Sequence, residues 1–385
     1  MLEFLNKDEC TGCTACASIC PNQCILMKED YAGFLFPELA DTSRCIDCGV
    51  CKQVCPVLRK KSIKGAPIAY AAYSENKLIR SRSSSGGIFS EIASLVLGNG
   101  GYICGAGYDQ DGTVKHILIK DESNLDLLRG AKYSQSVLED SFREIKKILD
   151  TGKEVLFSGL PCQVAGLKSF LRKNYSNLIC VDFVCHGVPS PMVWEKYVKY
   201  RAAEDNWGIL PKAINMRNKE SGWSHYSYSS EFIYSNTKRY ICQNDKDLFM
   251  NLFVGNYILR ECCGNCHFKG YARESDITLA DFWGIWDIDL EMDDNKGTSL
   301  VLVHTEKGEK LFKSKLNTIK YKQVTLEQAS LRNPSLLSSA IHKENRENIL
   351  MAISRSGFET AKSFTKDRRR MRDIIKETIN KVLKK

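Results

Sequence analysis

The sequence lacks a membrane-spanning segment. No uninterrupted apolar run approaches the ~18 residues needed to cross a bilayer. The longest candidate, residues 88–103, is broken by Glu91, Asn99 and glycines. Also missing, in the opening MLEFLNKDEC, is the basic-then-apolar pattern of a secretory signal. These absences lead us to expect a cytoplasmic protein, where a reducing environment disfavours disulfides. At 385 residues the chain is too long for one compact core, so two or three domains are expected.

Against that background, 17 cysteines are many, and in a reducing compartment they point to metal or redox use. The net charge of +9 is gathered partly in KDRRRMR at 366–372. We read this run as the solvated face of a terminal helix rather than a nucleic-acid or membrane surface. The acidic stretch 287–294 and the lack of a basic, aromatic-interleaved sheet argue the same way.

Residues 1–60 are cysteine-dense and short of helical periodicity, and the basic linker RKKSIKGAP follows at 59–67. Strands and helices then alternate. Helices are expected over 88–96, 137–149, 164–171 and from 193, and strands over 102–108, 155–158 and 178–184. Strand–turn–helix repetition of this kind predicts an α/β core. The alternation Tyr226, Tyr228, Ser230, Phe232 before a turn at 235–237 predicts a hairpin. From His342 onward the pattern is helical and increasingly charged. The expected fold class is α+β or α/β: a small two-cluster ferredoxin-like domain, an α/β domain and a helical tail.

Cys10, Cys13, Cys16 and Cys20 precede Pro21, and Cys45, Cys48, Cys51 and Cys55 precede Pro56. Each run is C-x2-C-x2-C-x3-C-P, the bacterial ferredoxin spacing, in which the fourth cysteine ligates the other cluster. The expected sets are therefore Cys10, Cys13, Cys16 with Cys55, and Cys45, Cys48, Cys51 with Cys20. Structural zinc, which closes at four ligands from paired C-x2-C units, fits two matched four-cysteine runs poorly. Cys24 falls outside the pattern and reads as an incidental thiol. Paired clusters move single electrons and do no bond chemistry alone, so more than 300 further residues imply another redox centre.

Three features of those residues carry alternatives. Ser83-Ser84-Ser85-Gly86-Gly87 precedes an apolar helix, as either an anion cradle or an ordinary serine-capped start. Gly130-Ala131-Lys132-Tyr133-Ser134 suits a phosphate, a flavin ring or a plain loop. Cys162 and Cys185 stand at predicted strand ends, which in α/β sheets converge on one rim. With Cys263 and Cys266 they make either a third cluster site or four unrelated thiols.

The segments SSSGGIFSEI, LRGAKYS, FSGLPCQVAGLKSFL, VCHGVPSPMVWEKY and CCGNCHFKGYARESDITLADFWGIW resemble the family of coenzyme F420 hydrogenase/dehydrogenase beta subunits, in the family's order and across about residues 1–335. Members are flavoproteins with FAD and 4Fe–4S clusters, and they include the subunit that reduces coenzyme F420 and a chlorophyll-derivative reductase of plants. Bacterial members with such a ferredoxin head look like those often encoded among polysaccharide-biosynthesis genes. The resemblance implies FAD near Ser84, Ser85, Gly86, Gly87, Lys132, Tyr133 and Ser134. It also implies a flavin-proximal cluster on Cys162, Cys185, Cys263 and Cys266, with the neighbouring Cys262 leaving open which of the pair binds. Cys104, Cys180 and Cys242 match no ligand position and read as core thiols. The implied domains are 1–60 (4Fe–4S), 66–150 (FAD-binding part), 151–335 (third cluster and substrate side) and 336–385 (basic tail).

The expected activity is an oxidoreductase that moves electrons between clusters and FAD to act on an organic substrate or cofactor. The competing expectation is a subunit without its own substrate, docked to a redox partner through the basic tail. His186 is a candidate proton donor, or a hydrogen-bonded turn residue after a ligand. Asp276 and Asp281 are expected to orient ligands or cap strand ends.

Overall fold

The computed structural model describes residues 5–59 and 65–364. The basic run 366–372 lies outside them, as does most of the 59–67 linker. Among the described residues no helix is long and apolar enough to cross a membrane.

The N-terminal unit holds an antiparallel pair, β1 (Ile25–Glu29) and β2 (Leu35–Leu39), and two short helices, Ala15–Ile19 and Val50–Gln53. The 35-residue sequence repeat is also a backbone repeat. Gly12 and Asp47 have φ of 67° and 50°, and Thr14 and Gly49 have 62° and 67°. Left-handed conformations at matching places curl both cysteine loops the same way. The cost at the non-glycine positions is of the kind stored at functional sites.

The large sheet has eight strands in the order β13-β3-β12-β11-β7-β6-β4-β5. They are β3 (Ile68–Ser74), β4 (Tyr102–Tyr108), β5 (Val114–Ile119), β6 (Val155–Ser158), β7 (Leu178–Phe183), β11 (Ile277–Asp281), β12 (Ser299–Val303) and β13 (Ile319–Val324). β4, β6, β7 and β11 run parallel at the centre, and antiparallel strands close both sides. Helices cover both faces, so the inner strands read as continuous apolar runs: every residue of SLVLV in β12 is buried. Strands from 68–119 and from 155–324 share this one sheet.

A second, three-stranded antiparallel sheet holds β8 (Ala213–Asn218), β9 (Ser229–Ile233) and β10 (Arg239–Gln243) in the order β10-β9-β8. The expected hairpin is β9–β10, turning through Thr237 at φ 64°. It begins later than predicted, because Tyr226 lies in a 3-10 turn, with His225 and Tyr226 both at positive φ. β8 carries a bulge between Asn215 and Asn218. Helix starts also shift. The helix expected from 164 begins at Pro161, whose fixed φ suits a first helical position, and that from 137 begins at Ser141.

The N-terminal unit is built into the molecule. Phe34 and Phe36 enter the core formed by the three-stranded sheet and helix Pro191–Asn206. Ala15 and Val54 enter the core with Phe142 and Phe170. Arg143 donates to the carbonyls of Ser18 and Ala17, and Ser190 Oγ to that of Ala32.

Trp194, 2% exposed, packs against Tyr108, Tyr197, Phe232 and Phe249 and donates to the Gly112 carbonyl at 2.8 Å. Trp194→Ala should lower stability by about 3–5 kcal/mol. Trp207, 78% exposed beneath Lys238, offers the contrast: Trp207→Ala should cost no more than about 1 kcal/mol. Urea unfolding midpoints check both.

Candidate functional site

The carboxyl ends of the parallel strands gather the chemistry. β4 ends at Tyr108, β6 leads into the helix Pro161–Leu171 with Cys162 in its first turn, β7 leads to Cys185 and His186, and β11 ends at Asp281. This is the rim where open α/β sheets bind ligands.

Cys162, Cys185, Cys263 and Cys266 line one cavity together with Cys262, His186, Arg260 and Lys269. Cys263 interacts with both Cys162 and Cys185, while the Cys262 thiol lies against that of Cys263. The Val188 amide donates to Cys263 Sγ at 3.3 Å and the Cys266 amide to Ser339 Oγ at 2.9 Å. Burial pushes the Cys185 thiol up to about 12 and raises Cys162 strongly. Only a bound cation would keep such thiols ionised at neutral pH.

In the N-terminal unit, Cys10, Cys13, Cys16 and Cys55 line a second cavity, walled by Leu5, Met27, Pro37 and Val57. Cys51 interacts with Cys48 and Cys20, and Cys45 and Cys48 are exposed. Cys24, which the sequence leaves outside the pattern, has its Sγ 3.3 Å from Cys20 Sγ. All 17 cysteines are free. Among the described residues no group of three or more His, Cys, Asp or Glu is arranged to hold a single metal ion, as tetrahedral zinc requires. Four thiols spread around a shared cavity instead suit the corners of a polynuclear cluster.

Cys104 and Cys180 are buried in the core, as expected. Cys242 is not a core thiol: it is half-buried on β10, an edge strand.

The two cysteine cavities are neighbours. Cys13 and Cys162 interact electrostatically. An ideal Cβ placed on Gly166 would sit 2.9 Å from Cys13 Cβ and 3.0 Å from its Sγ. Glycine at 166 lets the helix carrying Cys162 lie directly on the Cys13 loop.

The loops 83–87 and 130–134 are also brought together, since Arg129 Nε donates to Ser90 Oγ at 3.0 Å. The serine-capped alternative is not what forms: helix Ile88–Gly98 starts at Gly87, φ 89°, with no side-chain cap. Ser85 Oγ donates to the Thr298 carbonyl, and the Gly86 amide to Ser299 Oγ. Gly86 is required by packing, because a Cβ there would meet the Ala72 carbonyl at 2.4 Å. Ser84 and Ser134 are half-buried. Lys132 Nζ donates to the Arg129 carbonyl at 2.7 Å beside the Tyr108 ring. The Tyr133 ring packs on Phe253, which also meets the edge of His186.

Residues that sequence reasoning missed clasp both loops. Arg217, 4% exposed on the β8 bulge, donates from Nη1 to Tyr133 OH at 3.4 Å and pairs with Asp281 at 2.8 Å. Tyr228 lies 3.7 Å from its guanidinium, and Trp283 5.0 Å. Lys219 donates to the carbonyls of Arg80, Ser85 and Lys296, three acceptors for an ammonium's three donors. The only sequence signal was the cationic spacing in MRNK, inside a segment read as a hairpin approach.

Buried polar atoms around these loops are left over. Tyr108 OH and the Nε and Nη2 of Arg217 have no hydrogen-bond partner, although Nη2 keeps its ion pair with Asp281. Such orphans are costly. They fit a site whose acceptor-rich ligand, such as a flavin with its ring carbonyls and phosphates, completes the network.

His186 has both ring nitrogens engaged, Nε2 with Asn256 Oδ1 at 2.6 Å and Nδ1 with Ser335 Oγ at 3.3 Å, and burial lowers its pKa. Asp276 ties strands together, accepting from the Cys180 amide and Thr305 Oγ1.

This fold and these cysteine sets define an iron–sulfur electron-transfer protein of the oxidoreductase class. Residues 152–328 match the family model for the C terminus of the coenzyme F420 hydrogenase/dehydrogenase beta subunit, and residues 9–59 that for a 4Fe-4S dicluster domain. The chain belongs to the family of coenzyme F420 hydrogenase/dehydrogenase beta subunits.

Among similar proteins is an F420H2 dehydrogenase subunit of Methanosarcina mazei, 22% identical over 48% of this chain and 57% of that protein. Another is the coenzyme F420-dependent sulfite reductase of Methanocaldococcus jannaschii, 30% identical over 43% of this chain and 26% of that protein. This chain thus spans little more than half of the first relative and about a quarter of the second. In fold it resembles a chain of the F420-reducing NiFe hydrogenase complex of Methanosarcina barkeri, with TM-score 0.50 and 15% identity over 72% of this chain and 90% of that one.

Burial lowers the Lys132 pKa to about 7, so between pH 7 and its ordinary range near 10.5 the unfolded chain holds the extra proton. Stability should therefore rise with pH across that window. Lys132→Met should stabilise the protein at pH 7 by roughly 1–3 kcal/mol and flatten the rise. Urea midpoints at pH 7 and 9.5 check it.

Proposed function

We propose that this protein is an iron–sulfur flavoprotein oxidoreductase with three 4Fe–4S sites and one FAD site in line. Cys20, Cys45, Cys48 and Cys51 would hold the outer cluster, Cys10, Cys13, Cys16 and Cys55 the inner one, and Cys162, Cys185, Cys263 and Cys266 the third. FAD would lie against 83–87 and 130–134, with Arg217 and Tyr108 supplying the hydrogen bonds left open around it. When bound, such clusters carry single electrons and a flavin pairs them for two-electron chemistry on an organic substrate or cofactor.

The observation that carries this reading is the contact of Cys13 with the helix bearing Cys162. It sets two cysteine sites, distant in sequence, side by side. The chain's own residues do the rest. The apolar wall around Cys10, Cys13 and Cys55 excludes water, and Phe253, touching His186 and Tyr133, fills the space between the third site and the flavin loops. His186, with both nitrogens committed, orients the turn after Cys185. We assign domains 1–60, 66–150 and 151–335 to the outer wire, the flavin and the third site with its substrate.

A second reading is a substrate-less electron-transfer subunit of a larger complex. It is favoured by the exposed Cys45 and Cys48, which offer a docking point for a redox partner, and by a relative named as a subunit.

Anaerobic purification with iron, sulfide and flavin quantified tests the proposal. About 12 iron and one FAD per chain are expected. Cys162→Ser should remove about four iron and leave the other eight. About 8 iron in the unmodified protein would remove the third site, and no FAD after reconstitution would remove the flavin.

A further inference from the structure

Arg260 is a buried charge with no carboxylate. It is 1% exposed and forms no ion pair among the described residues. Its Nε donates to the Cys10 carbonyl at 2.8 Å, Nη1 to Gln135 Oε1 at 2.9 Å and Nη2 to the Leu35 carbonyl at 2.9 Å. Every one of these acceptors is neutral, so they satisfy its hydrogen bonds and leave its charge uncompensated. Burying a guanidinium without a counter-charge costs several kcal/mol.

The surroundings show where that counter-charge belongs. On one side Arg260 holds the Cys10 loop, and Gly12 passes so close that a Cβ would lie 3.0 Å from Nη1. On the other side it lines the cavity of Cys162, Cys185, Cys263 and Cys266, and its carbonyl accepts from the Cys263 amide. Its charge acts on the thiols of both Cys10 and Cys263. A cluster held by four thiolates is net anionic and gains further negative charge on reduction. A fixed cation beside it therefore favours the reduced state.

We infer that Arg260 is the shared counter-cation of the inner N-terminal cluster and the third cluster, raising the reduction potentials of both and leaving the outer cluster untouched. This rests on the three-cluster reading above. Gln135 is then a positioning residue that acts through Arg260.

The test is an EPR-monitored redox titration of the full holoprotein, with the outer cluster identified by its altered signal in Cys48→Ser. Arg260→Gln should lower the inner and third potentials, each by at least a tenfold change in the reduction equilibrium, about 59 mV for one electron, with the outer potential unchanged. Arg260→Lys, keeping the charge, should restore most of the shift. Gln135→Glu places a carboxylate against Nη1 and should reproduce the Arg260→Gln shift in an otherwise intact site, so the test survives if Arg260→Gln fails to fold. Unmoved potentials, all three moving together, or Arg260→Lys shifting as far as Arg260→Gln would overturn the inference. Those outcomes, with about 12 iron present, leave the three-cluster reading intact. Iron near 8 would instead overturn that reading, and this inference with it, before any potential is measured.

Discussion

The close approach of one helix to one loop organises this molecule. The helix Pro161–Leu171 presses on the Cys13 loop where residue 166 has no side chain. Were it held away by even a methyl group, the N-terminal unit would be an appendage. Instead, Phe34 and Phe36 on one side and Ala15 and Val54 on the other are absorbed into cores built by the larger part of the chain. The unit gives up independence, and its inner cysteine site is buried at a fixed separation from the sheet rim.

The rim explains why residues so distant in sequence share a site. Parallel strands β4, β6, β7 and β11 all point their carboxyl ends the same way, so Tyr108, Cys162, Cys185 and Asp281 arrive together by topology alone. The three-stranded sheet then closes over the rim and adds Arg217, sandwiched by Tyr228 and Trp283 and paired to Asp281.

Legibility in the sequence followed the range of the interactions. The C-x2-C-x2-C-x3-C-P runs are local, and so were read directly. The parallel core was recoverable because strands buried on both faces are apolar throughout, as in β12. Cys162 and Cys185 were reachable through the strand-end rule, but their pairing with Cys263 and Cys266 came through family resemblance. Arg217, Lys219 and Arg260 were invisible. Their roles depend on contacts across 84, 134 and 250 residues of chain, and an isolated cation in a sequence looks like any solvated one. Cys24 was misjudged for the same reason, since its nearness to Cys20 depends on how the loop folds back.

The bulge in β8 has a consequence of its own. Between Asn215 and Asn218 the strand runs out of step with β9, and that extra residue turns Arg217 inward beneath Tyr228. Arg217 is thus aimed by a count of residues rather than by any contact of its own. Loss of a single neighbour there would restore the regular alternation and exchange the faces taken by Arg217 and Asn218. The site's composition would survive such a deletion on paper, while the guanidinium that clasps its loops would face the wrong way. Comparisons of such chains should therefore align spacing in this strand before identity.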